Sequence, residues 1–362
     1  MVDDEAMVRN MAESMLKRKF GYEVVTACDG SEAMEIFRVR MDEIDLVLLD
    51  LRSLDCGWRN RCHGQCSNFM RLQKVELTQR NKEMGEEIRK INGVAICTES
   101  FGAREDPCIL LIMGAMASMV WWDKEFCMRL AAKGRFVIRY DHRDVGRSIC
   151  YPPGQLEYSV HDLVDDAVGV LASHSIEKAH FVGMSLGGMI AQVAALRYPD
   201  RVSSITAIAS GLFDYRPDLP QIDPKILAYH ARAATVDWNN KESIPQYMVG
   251  GWKLLNGSRH AFDEERATAL AHEEIRRAKS LVSMFNHAML RGAEELYGKA
   301  YSIRIPVLVI HGTEDTVLSY AHGKALCDAI PHARLVTLEG AGHEIHRNDW
   351  DLVISEITTH TG

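Results

Sequence analysis

The run Gly183-Met184-Ser185-Leu186-Gly187 constrains the fold more than any other stretch of the chain. Before it stands Lys178-Ala179-His180-Phe181-Val182, which has the make-up of a short buried strand. After it comes Gly188-Met189-Ile190-Ala191-Gln192-Val193-Ala194-Ala195-Leu196, an Ala-rich helical run. Strand, sharp turn and helix form the context in which Gly-x-Ser-x-Gly presents a serine hydroxyl at the head of a sheet. The glycines are needed because the serine sits in a strained backbone conformation, where flanking side chains would clash with strand and helix. Ser185 is therefore expected to be a nucleophile on a strand-to-helix elbow.

At 362 residues the chain exceeds one small domain and suits one large α/β domain with an appendage. From Gly93 onward short strands alternate with helices. The expected strands are Gly93–Thr98, Ile109–Ile112, Phe136–Tyr140, His180–Val182, Ile205–Ala209, Val307–Ile310 and Leu335–Leu338. Such alternation predicts a mostly parallel sheet covered on both faces. Between Gly211 and Ile303 the strand signal vanishes and the text turns helical and rich in Trp, Tyr, Met and His. That stretch reads as an inserted helical cap over the site. The expected organisation is a receiver-like segment over 1–55, a junction with a linker helix over 56–92, an α/β core over 93–212 and 301–362, and a cap over 213–300.

The net charge of −8 argues against general affinity for nucleic acid or anionic membrane. No run of eighteen apolar residues exists, and Met1-Val2-Asp3-Asp4-Glu5 does not read as a signal peptide. Nine scattered cysteines suggest reduced thiols, so a cytoplasmic protein is expected. A homo-oligomer is left open.

The first segment reads as α-β-α-β, with an amphipathic helix over Met7–Phe20 and a buried strand over Ile44–Asp50. Asp3, Asp4, Gly21-Tyr22-Glu23-Val24, Asp29-Gly30-Ser31-Glu32-Ala33 and Asp50 resemble the first half of a two-component receiver domain. The second half is missing, and half a doubly wound sheet cannot cover its own apolar faces. Asp3, Asp4 and Asp50 could hold Mg²⁺, but phosphorylation of Asp50 is not expected without a supporting shell. Cys56, Cys62, His63 and Cys66 lack the second ligand pair of a zinc site. Leu72–Ile91 then reads as a charged helix, and the enzyme unit is suspected to begin near Met84.

A serine hydroxyl needs a base to take its proton and an acid to orient that base. With this type of elbow the partners follow in chain order, acid and then histidine. After Val307–Ile310 comes His311-Gly312-Thr313-Glu314-Asp315, at the carboxyl end of a strand, where sites form. After Leu335–Leu338 comes Glu339-Gly340-Ala341-Gly342-His343. His343 is expected to be the general base and then acid, and Asp315 its orienter. His346 lacks a glycine turn to present it, Glu314 is the less favoured neighbour, and His311 is expected to make a loop hydrogen bond. The oxyanion donors are expected to be the backbone N–H of Leu186 and of Ala115, the latter in Met113-Gly114-Ala115-Met116.

On these residues, 93–362 resemble the α/β-hydrolase superfamily. Met113-Gly114 stands where most relatives carry His-Gly. With Arg139-Tyr140-Asp141-His142-Arg143-Asp144-Val145-Gly146-Arg147-Ser148, it is similar to the branch that contains aclacinomycin methylesterase. The resemblance implies a serine esterase, a carboxylic-ester hydrolase that needs no cofactor or metal. It also implies a structural Asp141–Ser148 loop, with Arg143 bonding loop carbonyls. Met116, Trp121, Trp122 and Trp252 are candidate substrate-binding residues for a small to medium apolar ester. Perhydrolase chemistry, carbon–carbon bond hydrolysis and a non-catalytic ligand sensor remain as alternatives.

Overall fold

Eight strands cross the part of the chain described by the computed structural model, residues 84–240 and 242–362. They are β1 (Met84–Ile91), β2 (Val94–Phe101), β3 (Cys108–Ile112), β4 (Phe136–Tyr140), β5 (Ala179–Met184), β6 (Val202–Ile208), β7 (Val307–Gly312) and β8 (Arg334–Leu338). One sheet holds them in the order β1-β2-β4-β3-β5-β6-β7-β8. β1 and β2 pair antiparallel with their neighbours, and every other pairing is parallel. The receiver-like segment, the cluster of Cys56, Cys62, His63 and Cys66, and Leu72 to Glu83 lie outside the described residues.

β3 shows why the sheet is covered on both sides. All five of its residues are buried, and successive side chains point to opposite faces. Leu110 and Ile112 join Phe136, Ile138, Phe181 and Ile205 on one face. There they meet Leu163, Val164, Val170 and Leu171 of α2 (Val160–Ser173) and Ile190, Ala191 and Val193 of α3 (Leu186–Arg197). Ile109 and Leu111 join Val137, Val182, Leu308 and Ile310 on the other face. Phe126 and Leu130 of α1 (Lys124–Ala131) and Trp350, Val353 and Ile357 of α8 (Trp350–His360) close that side. α2 starts on a capping box: Ser159 Oγ accepts from the Asp162 N–H, and Asp162 reaches back to the Ser159 N–H at 2.8 Å.

The helix expected to run through to Ile91 is corrected by the structure, because its last eight residues, Met84–Ile91, form β1. Glu86, Glu87, Arg89 and Lys90 gave the stretch the look of a solvated helix. Charge also suits an edge strand, which must not recruit further strands. Two charged side chains here have tertiary partners. Glu86 binds Arg277 at 2.6 Å and Arg147 at 2.9 Å, and Arg89 Nη1 donates to Ser173 O at 2.5 Å.

Between β6 and β7 the described chain carries helices, turns and an isolated bridge from Gly257 to Ala341. These include α4 (Pro224–Ala231), α5 (Ser243–Leu255) and α6 (Glu264–Arg277), then a 3₁₀ segment over Ser283–Met289. α7 (Tyr320–Ala329) follows β7. Among the described residues no helix is long and apolar enough to cross a membrane.

Burial keeps several histidines uncharged, with a consequence for stability. Desolvation pulls His174, His180 and His287 from 6.5 down to about 4. It lowers His142, His230, His346 and His360 as well. The unfolded chain therefore binds more protons than the folded one between about 6.5 and 4, so this contribution is complete above 6.5 and is lost as pH falls. Two carboxyls act in the opposite sense. Burial raises Glu274 and Glu344 from 4.5 to about 7, a contribution present below 4.5 and lost as pH rises through 7. The histidines outnumber them, so the melting temperature is expected to drop as pH is taken from 6.5 to 4. A ring as buried as that of His287 contributes up to ~1.4 kcal/mol per pH unit in that window. A melting temperature that is flat or rises on acidification would contradict this balance.

Candidate active site

Ser185 follows β5 and opens α3 with φ 51° and ψ −117°, a left-handed backbone that is rare for a residue with a side chain. Two neighbouring glycines make that turn possible. A Cβ on Gly183 would lie 2.2 Å from the carbonyl carbon of Gly187, and one on Gly187 would lie 2.1 Å from Ile112 O. The elbow is pinned from β6, where Ile208 O accepts from the Ser185 N–H at 2.9 Å. Ser210 Oγ donates to Ser185 O at 2.7 Å.

Asp315 follows β7 and His343 follows β8, so both loops leave the same end of the parallel strands as Ser185. His343 Nδ1 donates to Asp315 Oδ2 at 2.7 Å. The other oxygen, Oδ1, accepts from the N–H groups of Val317 at 2.8 Å and Leu318 at 2.9 Å. Burial works against the Asp315 charge, but the two histidines facing it, His343 and His311, hold the carboxyl well below the usual carboxylate range. The imidazole is thus tied to a permanent anion that is itself fixed by main chain. Among the described residues no hydrogen bond joins the Ser185 hydroxyl to His343, whose Nδ1 is committed to Asp315.

The neighbouring candidates point elsewhere. Glu314 accepts from Ser258 Oγ at 2.6 Å and the Ser258 N–H at 2.8 Å. His346 Nε2 donates to Ala261 O at 3.1 Å, with its ring stacked on His260. His311 Nε2 lies 2.7 Å from Leu318 O and 3.2 Å from Asp315 Oδ2, so it makes a loop bond and also faces the carboxylate.

The turn after β3 lies against the serine. A Cβ on Gly114 would sit 3.3 Å from Ser185 Cβ. Neither the Leu186 N–H nor the Ala115 N–H is taken by an acceptor among the described residues. Met113, Met184 and Glu344, which flank this turn, Ser185 and His343 in the chain, line one cavity of about 30 Å³ with Trp121, Trp122 and Trp252. Met116 does not line it and packs instead against the cluster of Val145, Ile244, Tyr247, Met248, Ala271 and Met284. Trp121 and Trp252 stack with centroids 4.0 Å apart, and Trp121 Nε1 donates to Glu274 at 3.1 Å. Trp122 is buried against Phe126.

The sequence profile described as "alpha/beta hydrolase fold" matches residues 107–348. The chain belongs to the α/β-hydrolase family. This hydrolase is 32% identical over 288 residues to rhodomycin D methylesterase DauP of Streptomyces sp. (strain C5), covering 74% of this chain and 95% of that protein. To rhodomycin D methylesterase DnrP of Streptomyces peucetius it is 31% identical over 289 residues, 74% of this chain and 95% of the other. Among solved structures, the esterase RhEst1 from Rhodococcus sp. ECU1013 superposes with a TM-score of 0.63 at 21% identity. That match covers 77% of this chain and 98% of the other, a likeness of fold.

One expectation about the hydrolase is corrected. Arg143 does not bond loop carbonyls: its guanidinium is bidentate on Asp166 of α2, at 2.6 and 2.9 Å. The Asp141–Ser148 loop is tied by carboxylates instead. Asp141 accepts from the Met119 N–H at 2.9 Å and the Arg147 N–H at 2.8 Å. Asp144 accepts from the Tyr151 N–H at 2.6 Å and Tyr158 Oη at 2.8 Å. Glu344 was not anticipated either. Glu344 borders the cavity with no hydrogen bond to its carboxyl among the described residues, and burial lifts it to about 7.

Proposed function

We propose that the hydrolase is a serine carboxylic-ester hydrolase with Ser185 as nucleophile, His343 as general base and acid, and Asp315 as orienter. The observation that carries this reading is the 2.7 Å His343–Asp315 bond, set at the strand ends that also bear a serine in a strained elbow. The Ser185 hydroxyl turns to His343 Nε2, gives up its proton and attacks the ester carbonyl carbon. The carbonyl oxygen becomes an oxyanion and accepts from the two uncommitted N–H groups, those of Leu186 and Ala115. His343 then protonates the departing alcohol, which leaves an acyl-Ser185. Water, deprotonated by the same imidazole, attacks that acyl carbon, the acid departs, and the serine recovers its proton.

Similarity to two rhodomycin D methylesterases favours a substrate with a small alcohol, and we name methyl esters of apolar carboxylic acids as the class. Trp121, Trp122 and Trp252 are the side chains assigned to hold the acyl part, and Met116, which packs outside the cavity, is not among them. The cavity of about 30 Å³ has room for little more than a water, so an acyl chain requires the Trp121–Trp252 stack to part. The test is a panel of chromogenic esters of rising acyl length run beside a matching series of methyl esters. Hydrolysis of short and medium members, falling off for long chains, is expected. No turnover of any ester, with breakdown of peracid or of a carbon–carbon bond instead, would replace this reading by an alternative with the same residues.

A further inference from the structure

Resting on that reading, we propose that His287, carried by the segment between β6 and β7, is the positioning residue that sets the aim of the oxyanion turn. The turn Met113-Gly114-Ala115-Met116 is held on both sides by buried imidazoles. Ahead of the donor, His142 Nε2 donates to Met113 O at 2.9 Å. Behind it, the Met116 N–H donates to His287 Nδ1 at 2.9 Å. Met116 has φ 63°, a conformation that is unfavourable for a residue with a side chain and persists only when its surroundings impose it.

The proton on His287 is fixed by its other partner. Arg143 O lies 2.8 Å from Nε2 and can only accept, so Nε2 carries the hydrogen and Nδ1 is left bare to receive the Met116 N–H. His287 is 5% exposed, and burial keeps its ring neutral. Its own position is secured by Asn286, which donates to Asp144 Oδ2 at 3.0 Å and accepts from the Gly154 N–H at 2.8 Å. The two imidazoles pack edge to face, 6.1 Å between centroids. The Ala115 N–H lies in the peptide between Gly114 and Ala115, and the bonds at Met113 O and the Met116 N–H fix the peptides on either side of it. With both in place, the donor is aimed before substrate arrives, which is the condition for stabilising an oxyanion in the transition state.

The test compares three variants of the full chain. His287→Asn keeps an acceptor near the position of Nδ1. His287→Leu fills the same space without one, and His287→Gln is polar but carries its amide further out. Steady-state kinetics on an ester from the panel is read beside the rate at which a fluorophosphonate labels Ser185, since that reaction also develops charge on an oxygen in the hole. Thermal melts report folding. The Leu variant is expected to lose about 10- to 100-fold in kcat and in labelling rate with KM within about twofold, while the Asn variant recovers most of the loss. Should Leu fail to fold, the Asn and Gln variants carry the same comparison, with Gln impaired. A Leu variant within twofold of wild type in both rates would overturn the proposal, as would a loss confined to KM or one that Asn does not relieve. A wild type that labels but hydrolyses no ester would sink the ester reading, and the labelling rates would still decide the role of His287. A wild type that neither labels nor hydrolyses would sink both.

Discussion

Replacing Ser185 by alanine is expected to lower kcat by roughly 10⁴- to 10⁶-fold and to leave the melting temperature within about 2 °C of wild type. The two halves of that expectation have separate grounds. The chemical half follows from the proposed route, since without Oγ no acyl-enzyme forms and only the oxyanion donors and binding remain to assist direct attack by water. The structural half follows from the hydroxyl having no hydrogen bond among the described residues. The strained backbone at φ 51° is set by Gly183, Gly187 and the bonds to Ile208 and Ser210, none of which the substitution touches. Turnover of the best ester and a thermal melt, measured on the same preparation, check both. A variant retaining more than about one per cent of wild-type kcat would remove Ser185 from the mechanism, and a large fall in melting temperature would make the activity loss uninformative.

The fold was legible wherever a segment's surroundings agree with its local pattern. The strands of the parallel sheet are short apolar runs because both their faces are covered, as the five buried residues of β3 show. β1 was not legible. Its charged residues answer to distant partners, Glu86 to Arg277 across 191 positions and Arg89 to Ser173 across 84, and no local period encodes them. The site divides in the same way. Ser185, Asp315 and His343 each follow a strand in a glycine-containing turn, and turn and strand are local signals. The surroundings of the oxyanion turn are not local: His287 stands 171 positions from Met116, and Glu274 stands 156 from Ser118. Arg143 misled because a lone arginine in a loop shows nothing of Asp166, which reaches it from α2.

Those long-range bonds also bear on how the inserted helices serve the site. The end of α5 and the segment after it pair with the His343 loop, where His343 N donates to Leu255 O at 2.7 Å and Arg259 N to Gly340 O at 2.8 Å. Ser258 occupies Glu314, the carboxylate beside Asp315. On the other side, Glu274 accepts from Ser118 Oγ at 2.6 Å and His287 accepts from Met116 N. The insertion therefore braces both the histidine loop and the oxyanion loop. A displacement of the insertion as one body would break the ties to both loops.

Asp315→Asn is the second substitution with a large expected effect, a fall in kcat of about 10⁴-fold with little change in KM. The reason is a forced choice of amide orientation. Oδ1 of Asp315 receives two backbone N–H groups, from Val317 at 2.8 Å and Leu318 at 2.9 Å, so the asparagine oxygen must stay there. Its NH₂ then takes the place of Oδ2, which faces His343 Nδ1 at 2.7 Å and His311 Nε2 at 3.2 Å. An amide N–H aimed at Nδ1 obliges His343 to carry its proton on Nε2, and that tautomer cannot accept the proton of Ser185. Loss of the anion also removes the partner of the imidazolium that forms in each transition state. Because both substitutions disable one proton transfer, the double variant with Ser185→Ala is expected to be no slower than Ser185→Ala alone. An Asn variant within tenfold of wild type would mean that another group orients His343. A double variant slower than either single by the product of their effects would mean that the two residues act in separate steps.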